Sequence, residues 1–201
     1  LQHKFQALRP IQLITNGLFD KAAFLPRTAK KNSYHVGYFG HLTDKWFNWE
    51  LLFKLAEDKR FVIHLIGEGA PARLLEKLTQ YANVTYHGYV PQAALTKLIV
   101  LFDVGIIPFK MSKLSMAVDP LKVYEYLQYG RPVVSSGIPH LSSYPYCYDV
   151  SDDEAFKLAI INAVDNVTVD YSRVDHFLSN NTWIKKCYEL LLINHEYTSC
   201  E

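Results

Sequence analysis

The residues best suited to chemistry lie in the segment from Pro120 to Pro132, which reads PLKVYEYLQYGRP. Proline at its start, and Gly130 followed by a second proline at its end, are the start and stop signals of a short helix. Lys122 and Glu125 are three residues apart, so they share one face near the N-terminus of that helix. A helix N-terminus favours phosphate, the lysine adds positive charge, and the carboxylate can accept hydrogen bonds from ribose hydroxyls. The pattern predicts a nucleoside-diphosphate site, and a surface salt bridge between the two side chains is the alternative interpretation.

The same segment also carries an apolar face. Leu121, Tyr124 and Leu127 recur at helical spacing and are predicted to pack against a core. Residues 133–135 follow directly and read as a short buried strand. We therefore expect the helix to be held against a sheet, with its N-terminus at one edge of that sheet.

The rest of the chain alternates short apolar strands with amphipathic helices. Strands are predicted over residues 11–15, 34–39, 61–66, 84–86, 104–107, 133–135 and 147–150. Helices are predicted over residues 45–57, 71–80, 91–101, 151–164, 171–178 and 182–197, in addition to the helix that begins at Pro120. The helix at 151–164 would open with a capping box formed by Ser151 and Glu154. This alternation is typical of an α/β fold in which helices cover both faces of a parallel sheet.

Glycines follow several of the predicted strands. Gly40, Gly67, Gly69 and Gly88 stand just beyond the strand ends, and Pro108 ends the strand at 104–107. Ligands of parallel α/β sheets bind beyond the carboxyl ends of the strands, and glycine lets a backbone approach a ligand closely. The glycines together therefore favour a nucleotide-type ligand.

Composition limits the classes of function. The chain has 201 residues with 49% hydrophobic and 20% charged residues, which predicts a single globular domain spanning 1–201. A formal net charge of +1 gives no field that would attract nucleic acid or an anionic membrane. Cys147, Cys187 and Cys200 have no metal-ligand spacing, and we expect them to be free thiols in a reducing compartment. No apolar run approaches a membrane span and no signal peptide opens the chain, while Leu1 suggests that a longer protein precedes it.

Several motifs resemble the nucleotide-sugar-binding C-terminal domain of GT-B glycosyltransferases, in particular the retaining family 4 type (glycosyl transferases group 1). The PLK and EYL sequences at 120–127, followed by GRPVV at 130–134, are the most specific match. The other matching stretches, which together span roughly residues 11–140, are NGLFD at 16–20, VGYFG at 36–40, KWFNW at 45–49, IGEG at 66–69, HGYV at 87–90 and DVGIIP at 103–108. The resemblance implies a Rossmann-like sheet that forms one half of a two-domain enzyme.

The resemblance also implies roles for individual residues. Gly40 and its loop would lie against the donor diphosphate, with Gly67 and Gly69 in the neighbouring turn. Tyr89 and Val90 would hold the base, Lys122 would counter the phosphate charge, and Glu125 would bind the ribose hydroxyls. The loop at 116–119, which ends in Asp119, would touch the donor sugar, and Pro120 and Leu121 would complete the donor site as the helix begins.

The implied activity is transfer of a hexosyl group from a nucleoside-diphosphate sugar to a glycan or lipid-linked acceptor, in the cytoplasm and without a metal or other cofactor. The acceptor would be held by an N-terminal domain of the same protein that these residues do not include, so this chain alone would be inactive. The resemblance is also compatible with peripheral contact between the protein and the inner face of a membrane. Two alternatives stay open: a non-catalytic nucleotide-sugar-binding module and an α/β interaction domain. Ala117 favours the module, since many family members have a second glutamate there.

Histidines are the remaining candidates for acid–base chemistry. His41, His64, His87 and His140 match no metal-ligand spacing. His41 is the one carried forward as a catalytic candidate, together with Lys122 and Glu125, because it directly follows the glycine of the first predicted loop.

Overall fold

The structure is a computed structural model that describes residues 14–19, 21–22, 24–25 and 32–198, the last seven of these through their backbone only. Six parallel strands form one sheet in the order β3-β2-β1-β4-β5-β6. Its strands are β1 (Tyr34–Phe39), β2 (Phe61–Ile66), β3 (Val84–Tyr86), β4 (Val104–Pro108), β5 (Val133–Ser136) and β6 (Cys147–Asp149). The predicted parallel α/β sheet is therefore confirmed, with strand bounds within one residue of the prediction for all six.

Seven helices accompany these strands within the described residues. They are α1 (Trp49–Glu57), α2 (Ala72–Leu78), α3 (Gln92–Ile99), α4 (Leu121–Gln128), α5 (Asp153–Asp165), α6 (Tyr171–Ser179) and α7 (Trp183–Thr198), and short 3-10 turns occur at Ser115–Ala117 and Pro139–Ser143. The four central strands β1, β2, β4 and β5 are mostly buried, as expected for a parallel sheet whose faces are covered by helices. The two edge strands β3 and β6 are more exposed.

The strand order reverses at β1. This strand pairs with β2 on one side, where Phe39 is aligned with Ile66, and with β4 on the other, where Gly37 is aligned with Gly105. The chain leaves β1 and β4 in opposite directions, which opens a crevice beyond their carboxyl ends. Any ligand of this sheet is therefore expected near Gly40 and Phe109, the residues that directly follow these two strands.

Helix α4 is fastened over this crevice by its own side chains. The hydroxyl of the fully buried Tyr126 donates to the carbonyl of Gly37 at 3.0 Å, and the ring fits against Gly105, where a Cβ would come within 2.4 Å. At the other end, Gly130 adopts φ +68° and the amide of Arg131 donates to the carbonyl of Tyr126. This is a Schellman C-cap, so the glycine predicted to end the helix does so by taking a left-handed conformation.

Two predicted helix starts were wrong. Helix α1 begins at Trp49 and not at residue 45, because the side chain of Asn48 caps it by accepting from the amide of Leu51. Helix α5 lacks the predicted capping box at Ser151, since the carboxylate of Asp152 accepts from the amide of Ala155 instead. In each case the helix begins directly after the residue whose side chain accepts from a backbone amide of the first turn.

Two further predictions need correction. Leu121 is 39% exposed and does not join the core, whereas Val123, Tyr124 and Leu127 of the same helix are fully buried. Residues 14 and 15 do not belong to a strand, and residues 11–13 lie outside the described residues. Nearby, Leu18 makes only an isolated parallel bridge to Thr182.

Candidate functional site

The amine of Lys122 lies in the crevice between β1 and β4. Its Nζ donates to the hydroxyl of Tyr38 at 2.9 Å and lies 4.1 Å from the centre of the same ring. A Cβ on Gly40 would come within 2.7 Å of Nζ, so only glycine leaves room for the amine here. The ring centre of Phe109 is 5.4 Å away on the β4 side. Helix α4 therefore places a cation at the point where the strand order reverses.

The charge of Lys122 has no anionic partner among the described residues, where no carboxylate comes within ion-pair distance of it. The predicted surface salt bridge with Glu125 does not form. Burial lowers the pKa of Lys122 to about 7, and the negative charge of Glu125 opposes that shift only in part. An anion that reached this amine would favour its protonated form. The crevice is therefore suited to bind a negatively charged group.

Glu125 is half-buried one turn further along α4. One of its oxygens, Oε1, accepts from the side-chain amide of Gln92 at 3.3 Å. Burial raises the pKa of Glu125, while the Gln92 hydrogen bond and the charge of Lys122 lower it. A carboxylate has about four lone-pair positions, so Glu125 keeps acceptor capacity for hydroxyl groups of a ligand.

A cleft of about 280 Å³ opens beside this pair, beyond the carboxyl ends of β1, β2 and β3. Its walls come from the loops that follow these strands and from the start of α3: Phe39, Gly40, His41, Ile66, Gly67, Glu68, Tyr89, Val90, Gln92 and Leu95. The ring of Tyr89 is 67% exposed and can stack on a planar group. Of the residues that the resemblance assigns to diphosphate, base and ribose, Gly40, Gly67, Tyr89 and Val90 line this cleft. Gly69, Lys122 and Glu125 are not among its walls.

Two glycine turns shape the floor of this cleft. Gly40 and Gly67 have φ +132° and +131°, and a Cβ on Gly67 would lie 1.9 Å from the carbonyl oxygen of Gly40. The third glycine, Gly69, has φ +89° and contacts the ring of His41 so closely that a Cβ would lie 2.2 Å from it. The turns are therefore packed backbone against backbone, and Gly40 and Gly67 leave no room for a side chain between them.

His41 lies exposed at the rim of the cleft. Its carbonyl accepts from the hydroxyl of Tyr38 at 3.0 Å, and its ring centre is 5.8 Å from that of Trp46. Tyr38 therefore joins the glycine loop to the amine of Lys122 through one hydroxyl group.

The predicted site residues at the start of α4 have different surroundings. The carboxylate of Asp119 accepts from the amide of Asn16 and from the hydroxyls of Tyr124 and Tyr144, at 2.7, 2.9 and 3.2 Å. Pro120 is buried as the N-cap of the helix. Asp119, Pro120 and the exposed Leu121 do not line the 280 Å³ cleft, so the structure does not bring them together with Gly40 and Tyr89.

Two residues of the site escaped the sequence reasoning. Tyr38 lies in a strand, where an aromatic residue is predicted to be part of the core. Its role in the site comes from its hydroxyl group, which accepts from the distant Lys122. Gln92 directly follows the HGYVP stretch and begins α3, and this position was the one sequence feature that could have indicated a place in the site.

Neither a metal cluster nor a membrane span is present in the described part of the chain. No group of three or more His, Cys, Asp or Glu side chains in that part is arranged to hold a metal ion. Its helices are all too short or too polar to cross a bilayer.

Comparison with protein families identifies the family to which this chain belongs. Residues 33–166 match the family described as glycosyl transferases group 1, and this range covers all six strands and α4. The chain belongs to the glycosyl transferases group 1 family. Apart from NGLFD at 16–20, the stretches that carried the resemblance all lie within the matched residues.

Individual glycosyltransferases are also similar to this group 1 domain in sequence or in fold. It is 36% identical over 76 residues to the putative teichuronic acid biosynthesis glycosyltransferase TuaH of Bacillus subtilis, a match that covers 37% of this chain and 19% of TuaH. The fold is similar to that of the lipopolysaccharide outer core galactosyltransferase WaaB, with a TM-score of 0.72 at 15% identity over 92% of this chain and 56% of WaaB. It is also similar to Anabaena HepE in complex with UDP and glucose, with a TM-score of 0.53 at 17% identity over 84% of this chain and 49% of HepE.

These coverages show that the group 1 domain spans about half the length of the glycosyltransferase structures it matches. In sucrose-phosphate synthase of Thermosynechococcus elongatus it likewise covers 52% of the chain, with a TM-score of 0.68 at 15% identity. The predicted family and the predicted half of a GT-B fold are thus confirmed.

Proposed function

We propose that this domain binds the nucleoside-diphosphate sugar donor of a glycosyltransferase that transfers a hexosyl group to an acceptor in glycan or polysaccharide synthesis. The observation that supports this most directly is the half-buried amine of Lys122 beside Gly40, at the reversal of the strand order, with no ion-pair partner among the described carboxylates. A cation in that position matches a diphosphate, and family membership makes a nucleotide-sugar donor the expected source of that group.

The donor would extend from the base to the sugar across the crevice. Tyr89 and Val90 would hold the base, and Glu125, oriented by Gln92, would accept hydrogen bonds from the ribose hydroxyls. The diphosphate would lie over Gly40 between the amine of Lys122 and the N-terminus of α4.

Transfer breaks the bond between the anomeric carbon and a diphosphate oxygen and forms a bond to an acceptor hydroxyl oxygen. Negative charge develops on the departing diphosphate, and a lysine together with a helix N-terminus stabilises that charge without a metal ion. In this proposal Lys122 is therefore the residue that contributes most to the chemical step. His41, exposed at the rim of the cleft, is the remaining candidate in this proposal for a contact with the acceptor.

The acceptor would be bound by a second domain of the same protein. The coverage of about half of each matched structure supports this division, and the similarity to TuaH, named for teichuronic acid biosynthesis, supports a role in polysaccharide synthesis. We place the reaction in the cytoplasm, at the inner membrane face where the acceptor is lipid-linked. The free thiols of Cys147 and Cys187 are compatible with that compartment.

The donor site is tested by calorimetric titration of the domain with UDP, GDP and ADP. One diphosphate should bind saturably, and Glu125→Ala should weaken it about tenfold or more because hydrogen bonds to a charged group are lost. Glu76→Ala is the matched control, since Glu76 is an exposed helical glutamate outside the cleft. Equal affinities of the Glu125 and Glu76 variants would show that the site is elsewhere.

Catalysis is tested separately from binding. The domain by itself should bind donor without releasing diphosphate from it, whereas the protein with its acceptor domain should transfer the sugar. Ala117, exposed at the end of a 3-10 turn, is the observation that favours a non-catalytic module instead. Donor binding by the complete protein with no transfer to any glycan or lipid-linked acceptor would decide for the module.

A further inference from the structure

A second cavity, of about 250 Å³, lies on the β4 side of the crevice. It is lined by Trp46, Phe109, Leu114, Val118 and Pro120, and the surface that these residues present to it is entirely apolar. Four of the five come from the segment between β4 and α4, and Trp46 comes from the loop that follows β1. The cavity thus belongs to the same edge of the sheet as the 280 Å³ cleft, although the two share no lining residue.

Lys122 lies between the two cavities. On one side its Nζ contacts Gly40, a wall of the 280 Å³ cleft, and on the other it lies 5.4 Å from the ring centre of Phe109, a wall of the apolar cavity. The rings of His41 and Trp46, 5.8 Å apart, join the two spaces along the rim. The order across the sheet is therefore cleft, amine, apolar cavity.

A nucleotide sugar has its parts in a fixed linear order of base, ribose, diphosphate and sugar. With the base at Tyr89 and the diphosphate at Lys122, the sugar continues away from the cleft, toward Phe109 and the apolar cavity. A hydroxyl group pushed into that cavity would lose its water and find no hydrogen-bond partner, whereas a methyl group would gain by leaving water. A donor sugar that directs a methyl group into the apolar cavity would therefore bind more tightly than one that directs a hydroxyl group into it.

We propose that the apolar cavity is the subsite for a methyl-bearing donor sugar, either the methyl of a 6-deoxy sugar or that of an N-acetylated one, and that Trp46, Leu114 and Val118 determine this specificity. This inference rests on the proposed donor-binding function and adds the class of sugar to it. The aromatic rings of Trp46 and Phe109 would cover the apolar face of the sugar, and the opposite face would stay open toward the acceptor.

The test compares matched donors on the diphosphate that the protein binds. With uridine donors the set is UDP, UDP-glucose, UDP-6-deoxyglucose and UDP-N-acetylglucosamine. With guanosine donors it is GDP, GDP-mannose and GDP-6-deoxymannose. One methyl-bearing sugar should bind on the order of tenfold more tightly than its hydroxylated parent. In Val118→Thr, which adds a hydroxyl group at constant shape, and in Leu114→Asn, that preference should be lost while the affinity for the free diphosphate is unchanged.

Met111→Gln is the control variant, because Met111 is 55% exposed on the same loop but does not line the cavity. It should keep the preference for the methyl-bearing sugar. Tight binding of the free diphosphate with equal affinity for all sugar conjugates would overturn the subsite and leave the donor site standing, as would a preference that survives both cavity variants. Absence of binding by every diphosphate would overturn the donor site and the subsite together.

Discussion

At the scale of single residues, the amine of Lys122 is the group whose state depends most on a ligand. It is held by an uncharged hydroxyl and two aromatic rings, and burial lowers its pKa to about 7. At neutral pH the free protein therefore contains both charged and neutral forms of this side chain. A bound diphosphate favours the charged form and would raise the pKa.

This gives the diphosphate affinity a defined pH dependence. Below pH 7 the amine of Lys122 is already protonated, whereas above pH 7 binding must take up a proton, so the affinity falls by up to about tenfold per pH unit. Lys122→Arg keeps its charge at every pH and should show no such decline between pH 7 and 8.5. Calorimetric titration of both proteins over that range makes the comparison. Ionisation of the diphosphate itself affects both equally, so parallel profiles would contradict the role given to Lys122.

At the scale of elements, the glycine turns after β1 and β2 decide whether the cleft has its shape. The amide of Gly40 donates to the carbonyl of Ile66, and the amide of Leu42 donates to that of Glu68, so the first turn lies directly on the second. The amide of Gly67 in turn donates to the carbonyl of Gly88. The three loops therefore form one connected layer under the proposed diphosphate and base.

Gly67→Ala should disrupt this layer. Its Cβ would overlap the carbonyl oxygen of Gly40 at 1.9 Å and would also require φ +131° of a non-glycine residue. We expect a loss of about 3 kcal/mol or more in the free energy of unfolding and loss of diphosphate binding. Gly88→Ala is the matched control, since nothing lies within 4 Å of a Cβ there, and its φ of +66° should cost about 1 kcal/mol. Urea unfolding of both variants measures the difference, and equal losses would refute the argument.

At the scale of the whole molecule, a row of histidines crosses half of the sheet. His35 on β1, His64 on β2 and His87 beyond β3 stack with ring centres 5.6 and 5.5 Å apart. Their ring nitrogens approach to 3.3 and 3.2 Å, and Ser33 Oγ lies 3.3 Å from the outer nitrogen of His35. Each contact needs one donor and one acceptor, which neutral imidazoles supply when all three adopt the same tautomer sense. Protonation of the central ring, His64, would make both of its nitrogens donors and set one of them against a donor of a neighbouring ring.

The row should make the protein sensitive to mild acid. Burial lowers the pKa of His87, so the folded state binds fewer protons than the unfolded state, and stability present above pH 6.5 is lost as the pH falls below that value. We expect the free energy of unfolding to fall between pH 7 and 5 through this group. In His87→Gln the acid-dependent loss should shrink, while His176→Gln, at an exposed position on α6, should retain it. Identical pH profiles for these two variants would disprove the effect.

Much of this protein can be predicted from local pattern. The four central strands β1, β2, β4 and β5 are rich in β-branched or aromatic residues, and their burial follows from that composition without knowledge of their neighbours. The end of α4 at Gly130 was predictable for the same reason, since the left-handed residue and the proline after it act within a few positions of the chain. Helix starts were less predictable, because Asn48 and Asp152 compete with equally plausible neighbours for the capping position.

The sequence by itself determined the strands, their alternation with helices, and the pairing of Lys122 with Glu125 on one short helix, because each depends on residues a few positions apart. Only the tertiary structure decided what those two side chains face. Lys122 turns to Tyr38 and Glu125 to Gln92, while Asp119 is occupied by Asn16, Tyr124 and Tyr144 and lies outside the 280 Å³ cleft. These contacts join residues up to 103 positions apart, and they exist because parallel strands bring their carboxyl ends to one edge of the sheet.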